Sequence, residues 1–142
     1  MLRLSKLADY AVVVLVRLSV GDGSQTSPGI AAVTGLPEPT VAKVLKALTA
    51  AGLVRSQRGA RGGYFLARAL SAVAVSDVVA AIDGPIAITS CTEGGHGQCE
   101  AEASCPCQGR WDPVNDAVVQ ALSRITLADM SASPRRTTLP AG

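Results

Sequence analysis

The chain has 142 residues, 48% of them hydrophobic and only 3% aromatic, which suits a single domain cored by Leu, Val and Ala, with at most an appended helix. No stretch is long and apolar enough to span a membrane. Arg3 and Lys6 precede only a short apolar run without an A-x-A cleavage pattern, so a secretory leader is not expected and a cytoplasmic location is. The net charge of +2 hides an asymmetry: residues 1–68 carry nine Lys/Arg against three acids, and residues 69–142 carry four against eight, so the first half is suited to a polyanion.

Leu4, Leu7, Ala8, Ala11, Leu15 and Leu18 recur at helical spacing and predict a helix over 4–20. Ser27-Pro28 starts a second helix, with Ser27 as its cap and proline at the first helical position; it runs to Thr34, and Gly35 makes the turn. Pro37-Glu38-Pro39 opens a third helix to Ala51, where Gly52 supplies a left-handed cap. Strands over 53–56 and 64–67 flank a glycine-rich tip, Gln57 to Gly63. A fourth helix spans 75–82, capped at Ser76 or just before it and ended by Gly84-Pro85. Asp112-Pro113 starts a long helix to about Ile125, with Asp112 as cap, and 126–130 adds a last turn.

The fold class expected is mainly α with a small β-hairpin: a winged helix-turn-helix plus a long C-terminal dimerisation helix. The expected organisation is a DNA-binding domain over 1–84, a cysteine loop over 85–110, a dimerisation helix over 111–130 and a disordered tail over 131–142. In the third helix, Val41, Val44, Leu45 and Leu48 share one face. Pro39, Thr40, Lys43, Lys46 and Ala47 lie opposite, a face compact enough for a major groove. Thr40 and Lys43 would reach base edges and Lys46 a phosphate. Arg58 and Arg61 sit at the glycine-rich tip, where a guanidinium fits a narrow minor groove.

All four cysteines, Cys91, Cys99, Cys105 and Cys107, fall within 17 residues. The spacing C-x7-C-x5-C-x-C lacks the paired C-x2-C units of zinc ribbons. Pro106 stiffens the last pair, while Gly94, Gly95 and Gly97 let the backbone of the first three fold tightly. Thiolates are the usual ligands of iron–sulfur clusters, and three leave one position open to Asp9, His96, Glu102, Cys107 or Gln108. Glu93, Glu100 and Glu102 argue against a loop built for fast thiolate attack. The alternative for the same thiols is a structural zinc or a redox disulfide pair.

These features resemble the winged-helix bacterial repressors of the IscR/NsrR type, and among them regulators of the SUF iron–sulfur assembly system. The likeness covers about residues 1–130. It is carried by the opening LSKLADYAV (4–12), the block LKALTAAGLV (45–54), the wing Arg58-Gly59-Ala60-Arg61-Gly62-Gly63-Tyr64, and Cys91, Cys99 and Cys105 with Trp111 six residues on. The resemblance implies a cytoplasmic homodimer on double-stranded DNA with a palindromic operator. A last helix striped by Val114, Val118, Leu122 and Ile125 would be its spine. It also implies a 2Fe–2S or 4Fe–4S cluster on Cys91, Cys99 and Cys105. IscR-like members take a fourth ligand three residues after the third cysteine, but Gln108 stands there. Others use an N-terminal carboxylate of the partner subunit, which matches Asp9; Cys107 is the runner-up. With cluster bound, the ligand loop and residues 82–88 would fix the spacing of two reading heads. Nothing positions a general base, nucleophile or phosphate-binding loop, so no enzyme and no small-molecule substrate are expected. The rival readings are a zinc- or disulfide-dependent or nitric-oxide-sensing winged-helix repressor, and an iron–sulfur carrier without DNA binding.

Overall fold

The computed structural model describes residues 3–21, 23–60, 62–89, 91–92 and 104–132. Helix α1 (Lys6–Val20) begins where the Ser5 hydroxyl accepts the Ala8 N–H at 3.1 Å. It turns Ala8, Ala11, Val14, Leu15 and Leu18 into the core, the apolar stripe expected of an amphipathic helix. The Ser5 hydroxyl also lies 2.9 Å from both carboxylate oxygens of Asp83, tying the start of α1 to the end of a later helix.

Helix α2 (Ser27–Thr34) is capped by Thr26, whose Oγ1 accepts the Gly29 N–H at 3.1 Å. Ser27 is therefore the first helical residue and not the cap, and Pro28 stands second. Gly35 closes α2 with φ 76°. Helix α3 (Glu38–Ala50) follows, with Pro37 at its cap and Pro39 in its first turn. It ends one residue before the expected Ala51, which forms the cap, and Gly52 takes φ 77°.

Strands β1 (Val54–Gln57) and β2 (Gly63–Leu66) pair antiparallel, from Val54↔Leu66 to Gln57↔Gly63. Each is displaced by one residue from the expected span. Leu53 is still engaged in the exit from α3, its N–H bonded to the Leu48 carbonyl at 3.0 Å. Gln25 adds a one-residue bridge on the far side of β2, with Gln25 N–H to Tyr64 O at 2.9 Å and Tyr64 N–H to Gln25 O at 2.7 Å. The sequence reading did not anticipate this third partner.

A 3₁₀ turn (Leu70–Ala72) leads to α4 (Val75–Asp83), which Ala74 precedes as cap; Asp77 accepts the Ala74 N–H at 3.0 Å. Helix α5 (Asp112–Ser123) is capped by Trp111 and not by Asp112, and ends before Ile125. Ile125 instead offers its carbonyl to Val75 N–H at 2.9 Å, and Ala74 and Thr126 form a bridge. Helix α6 (Leu127–Ser131) carries a reciprocal cap between Thr126 and Asp129, and its Leu127 is fully buried. One core runs through α1, α2, α3, β1, α4 and α6; its fully buried large side chains are Leu, Ile and Val, with no aromatic among them. The expected tail lies outside the described residues from 133 onward.

Candidate nucleic-acid interface and thiol segment

The division of α3 into two faces is what the sequence predicts. Val41, Val44, Leu45 and Leu48 are buried, which fixes the helix rotation against α1 and α2. That rotation leaves Pro39, Lys43 and Lys46 exposed and Thr40 half-buried on the outer side, where a groove-reading face belongs. An open cleft between α3 and the hairpin is lined by Ala42, Lys46, Thr49, Ala50, Ser56 and Tyr64. Thr49 and Ser56 are polar neighbours of this face that sequence reasoning did not single out, and Tyr64 entered it only as the end of the wing motif.

At the hairpin tip Arg58 is exposed. Arg61 lies outside the described residues. Gly62 N–H bonds to Gly59 O at 2.8 Å, and Gly59 has φ 115°. A Cβ on Gly62 would meet the Gln57 and Gly59 carbonyl oxygens at 2.8 Å, so this tip needs glycine to close. Gln25 positions the hairpin from behind. Its Oε1 accepts the Arg17 Nε–H at 3.1 Å and its Nε2 donates to the Arg17 carbonyl at 3.2 Å. Arg17 is thus half-buried support for the wing rather than another free cation on the basic half.

The thiol segment lies between α4 and α5. Cys91, Cys105 and Cys107 are free thiols, the first two half-buried and the third exposed. The Thr89 hydroxyl is 3.3 Å from Cys91 Sγ, and Thr92, itself buried, donates to the Thr89 carbonyl at 2.9 Å. Turns carry the chain from Cys105 to α5, with Gln108 N–H on Cys105 O at 3.2 Å and Arg110 N–H on Cys107 O at 2.9 Å. Cys99, His96, Glu93, Glu100 and Glu102 lie outside the described residues, as sequence candidates that the geometry does not place. Asp9 is exposed on the first turn of α1. Among the described residues no three of His, Cys, Asp and Glu gather as a metal site. The donor chemistry nevertheless fits a thiolate-held centre, since the three described cysteines are all free thiols.

No helix of the described residues is long and apolar enough to cross a membrane. Residues 4–133 match the family described as Rrf2, iron-dependent transcriptional regulator. The HTH-type transcriptional regulator IscR of an Enterobacter species is 30% identical over 133 residues, covering 91% of this chain and 79% of the relative. Among solved structures, T. potens IscR superposes with a TM-score of 0.66 at 29% identity, covering 99% of this chain and 94% of that one. CymR, the global cysteine regulator of B. subtilis, gives 0.68 at 29% identity, covering 92% and 97%. The relatives regulate transcription rather than catalyse reactions, and the α3 and wing geometry is that of a DNA reader: this chain belongs to the Rrf2 family of winged-helix, DNA-binding transcriptional regulators.

Proposed function

We propose that this regulator is a homodimeric repressor whose cysteine segment holds an iron–sulfur cluster, and that it controls genes of iron–sulfur assembly (the SUF system) or of iron and redox stress. The observation that carries the reading is the position of the thiols. They sit between the DNA-reading head and α5, so a change at the segment acts on the geometry between the two. Cys91, Cys99 and Cys105 would supply three thiolates, and Asp9 of the partner subunit the fourth ligand, with Cys107 as the alternative. Asp9 shares one α1 face with Val13 and Val20, which are 39% and 69% exposed, since positions i, i+4 and i+11 align on a helix. An apolar exposed stripe with a carboxylate at its end suits a partner subunit better than solvent. At the cap and first turn of α5, Trp111 and Val114 are exposed as well, and these suit the facing side of the dimer. Part of the stripe read from sequence turns inward instead, for Leu122 packs against the chain's own core.

In this reading α3 enters a major groove of each half-site of a palindromic operator, with Pro39, Thr40, Lys43 and Lys46 toward the bases and backbone. Arg58 and Arg61 reach the flanking minor groove. A bound cluster would supply a redox- and iron-sensitive cross-link among the sulfurs. The chain's own part is to hold those sulfurs at a fixed distance from α5. Anaerobic purification tests the reading, with iron, acid-labile sulfide and operator affinity measured together. Brown protein with matched iron and sulfide supports it, as does an affinity that Lys43→Ala and Arg58→Ala each weaken about tenfold, at about 1.4 kcal/mol per contact. Colourless protein carrying one zinc per chain would overturn the cluster. Affinity indifferent to both substitutions would overturn the proposed DNA face.

A further inference from the structure

Asn115 is the one buried residue of α5. An amide is a poor choice for holding a helix by apolar contact, so its value lies in direction. Its Oδ1 accepts the Ile88 N–H at 2.9 Å, and its Nδ2 donates to the Ile86 carbonyl at 3.0 Å. That orientation is forced, because a backbone N–H can only donate and a carbonyl can only accept. The backbone N–H of Asn115 bonds to the Trp111 carbonyl at 2.8 Å. That last bond is the ordinary first turn of α5, so the particular contribution of Asn115 is its side-chain grip on Ile86 and Ile88, where the chain leaves toward Cys91, from the turn of α5 that follows Trp111.

We propose that Asn115 is a positioning residue, a clasp at the base of the thiol segment that holds Cys91 in register with α5 and transmits the state of the sulfurs to it. The transmitting role rests on the cluster reading above; the clasp itself does not. Cys91 lies three residues beyond Ile88, and Thr89 holds its thiol from the intervening turn. Between α4 and the first thiol, Gly84 has φ 81° and Ile86 packs on the core. Only the two amide bonds join the described part of this stretch to the α5 side chains by hydrogen bonding. At the far end of α5, the Ala74–Thr126 bridge and a Ser123–Ser76 hydroxyl contact at 3.0 Å fix the helix to α4. A shift at the clasp therefore tilts α5 about that fixed end rather than releasing it.

The experiment uses the full chain with Asn115→Leu, which keeps the volume and removes both bonds, and Asn115→Asp, which keeps the acceptor for Ile88 and loses the donor to Ile86. In reduced, iron-free protein, iodoacetamide labelling of Cys91 and Cys107 is followed by mass spectrometry. Asn115→Leu raises the Cys91 rate about fivefold or more with Cys107 unchanged, and Asn115→Asp gives a smaller rise, as local opening of a held segment requires. A Cys91 rate equal to wild type in both variants overturns the clasp. The second reading is the ratio of affinities for a selected duplex with and without iron and sulfide reconstitution. A wild-type ratio of about five or more collapses toward one in Asn115→Leu. A variant that keeps the wild-type ratio overturns the transmitting role. A wild-type ratio of one refutes the cluster reading and the transmitting role together, and leaves the clasp to be decided by labelling alone.

Discussion

Gly63→Ala separates space from conformation in the wing. No positive φ is required at Gly63, so alanine can adopt the backbone there. The obstacle is the neighbouring chain. A Cβ would lie 2.7 Å from the Gln25 carbonyl oxygen, 2.9 Å from its carbon and 3.1 Å from its nitrogen. All three are backbone atoms, so no side chain can swing away; the Gln25 segment must part from β2. The Gln25–Tyr64 pair of hydrogen bonds, at 2.9 and 2.7 Å, is then lost at about 1 kcal/mol net each. The two contacts between Arg17 and Gln25 lose their anchor with it. The expected loss of about 2 kcal/mol is large against a typical total of about 5–15 kcal/mol, and lowers the melting temperature by about 5–10 °C for a chain of this size. Gly52→Ala is the control. It has φ 77° and open space around the missing Cβ, so it suffers only the left-handed strain of about 1–2 kcal/mol and leaves the wing in place. Thermal unfolding by circular dichroism and anisotropy on a labelled duplex distinguish the two. Gly63→Ala loses both stability and DNA affinity, whereas Gly52→Ala loses stability alone. If Gly63→Ala melts and binds like wild type, the Gln25 bridge does not support the wing and the reasoning fails.

Two other outcomes follow from the core and from α6. Leu45→Ala empties a fully buried position on the inner face of α3 and costs about 2–5 kcal/mol in urea unfolding; a loss below about 1 kcal/mol would mean that α3 is not seated as described. The Asp129 carboxyl is held below its ordinary value by the Thr126 backbone N–H first and the Thr126 side chain second. Its stabilising effect is therefore complete above the unfolded carboxylate pKa and disappears as pH falls through the lower folded value. The difference in melting temperature between wild type and Asp129→Asn should shrink to nothing in strong acid, and a difference that persists there would show that the cap acts without the charge.

Most of the reading head was legible because its signals are local. Gly35 and Gly52 both adopt the left-handed conformation their places after helices suggest, and the two faces of α3 follow from spacing alone. Helix starts were less legible, for a consistent reason. Pro28, Pro39 and Pro113 all stand second in their helices, whereas the reading placed Pro28 and Pro113 first, which shifted the caps onto Ser27 and Asp112. The first four N–H groups of a helix lack intrahelical acceptors, so proline is tolerated across that turn and locates a start only to within a residue or two. The bridge from Gln25 to Tyr64 carried no signal at all. A single residue has no alternation to detect, and its partner is fixed only once α1, α2 and α3 have packed.

The thiol segment is a different case, because sequence supplies its chemistry and the geometry is non-local twice over. Residue type names candidate sulfur ligands, but the proposed fourth ligand, Asp9, belongs to α1, a helix that ends long before the first thiol. The faces of α1 and α5 left apolar and exposed, with Val13 and Val20 on one and Trp111 and Val114 on the other, lie on the elements that carry Asp9 and the end of the thiol segment. The described residues of one chain leave both faces uncovered. On the proposed reading, one association would cover both faces and also carry a partner's Asp9 to the sulfurs. In that arrangement sensing and dimer geometry are one equilibrium, and any ligand that favours one arrangement of the sulfurs must by the same free energy favour one spacing of the two α3 helices.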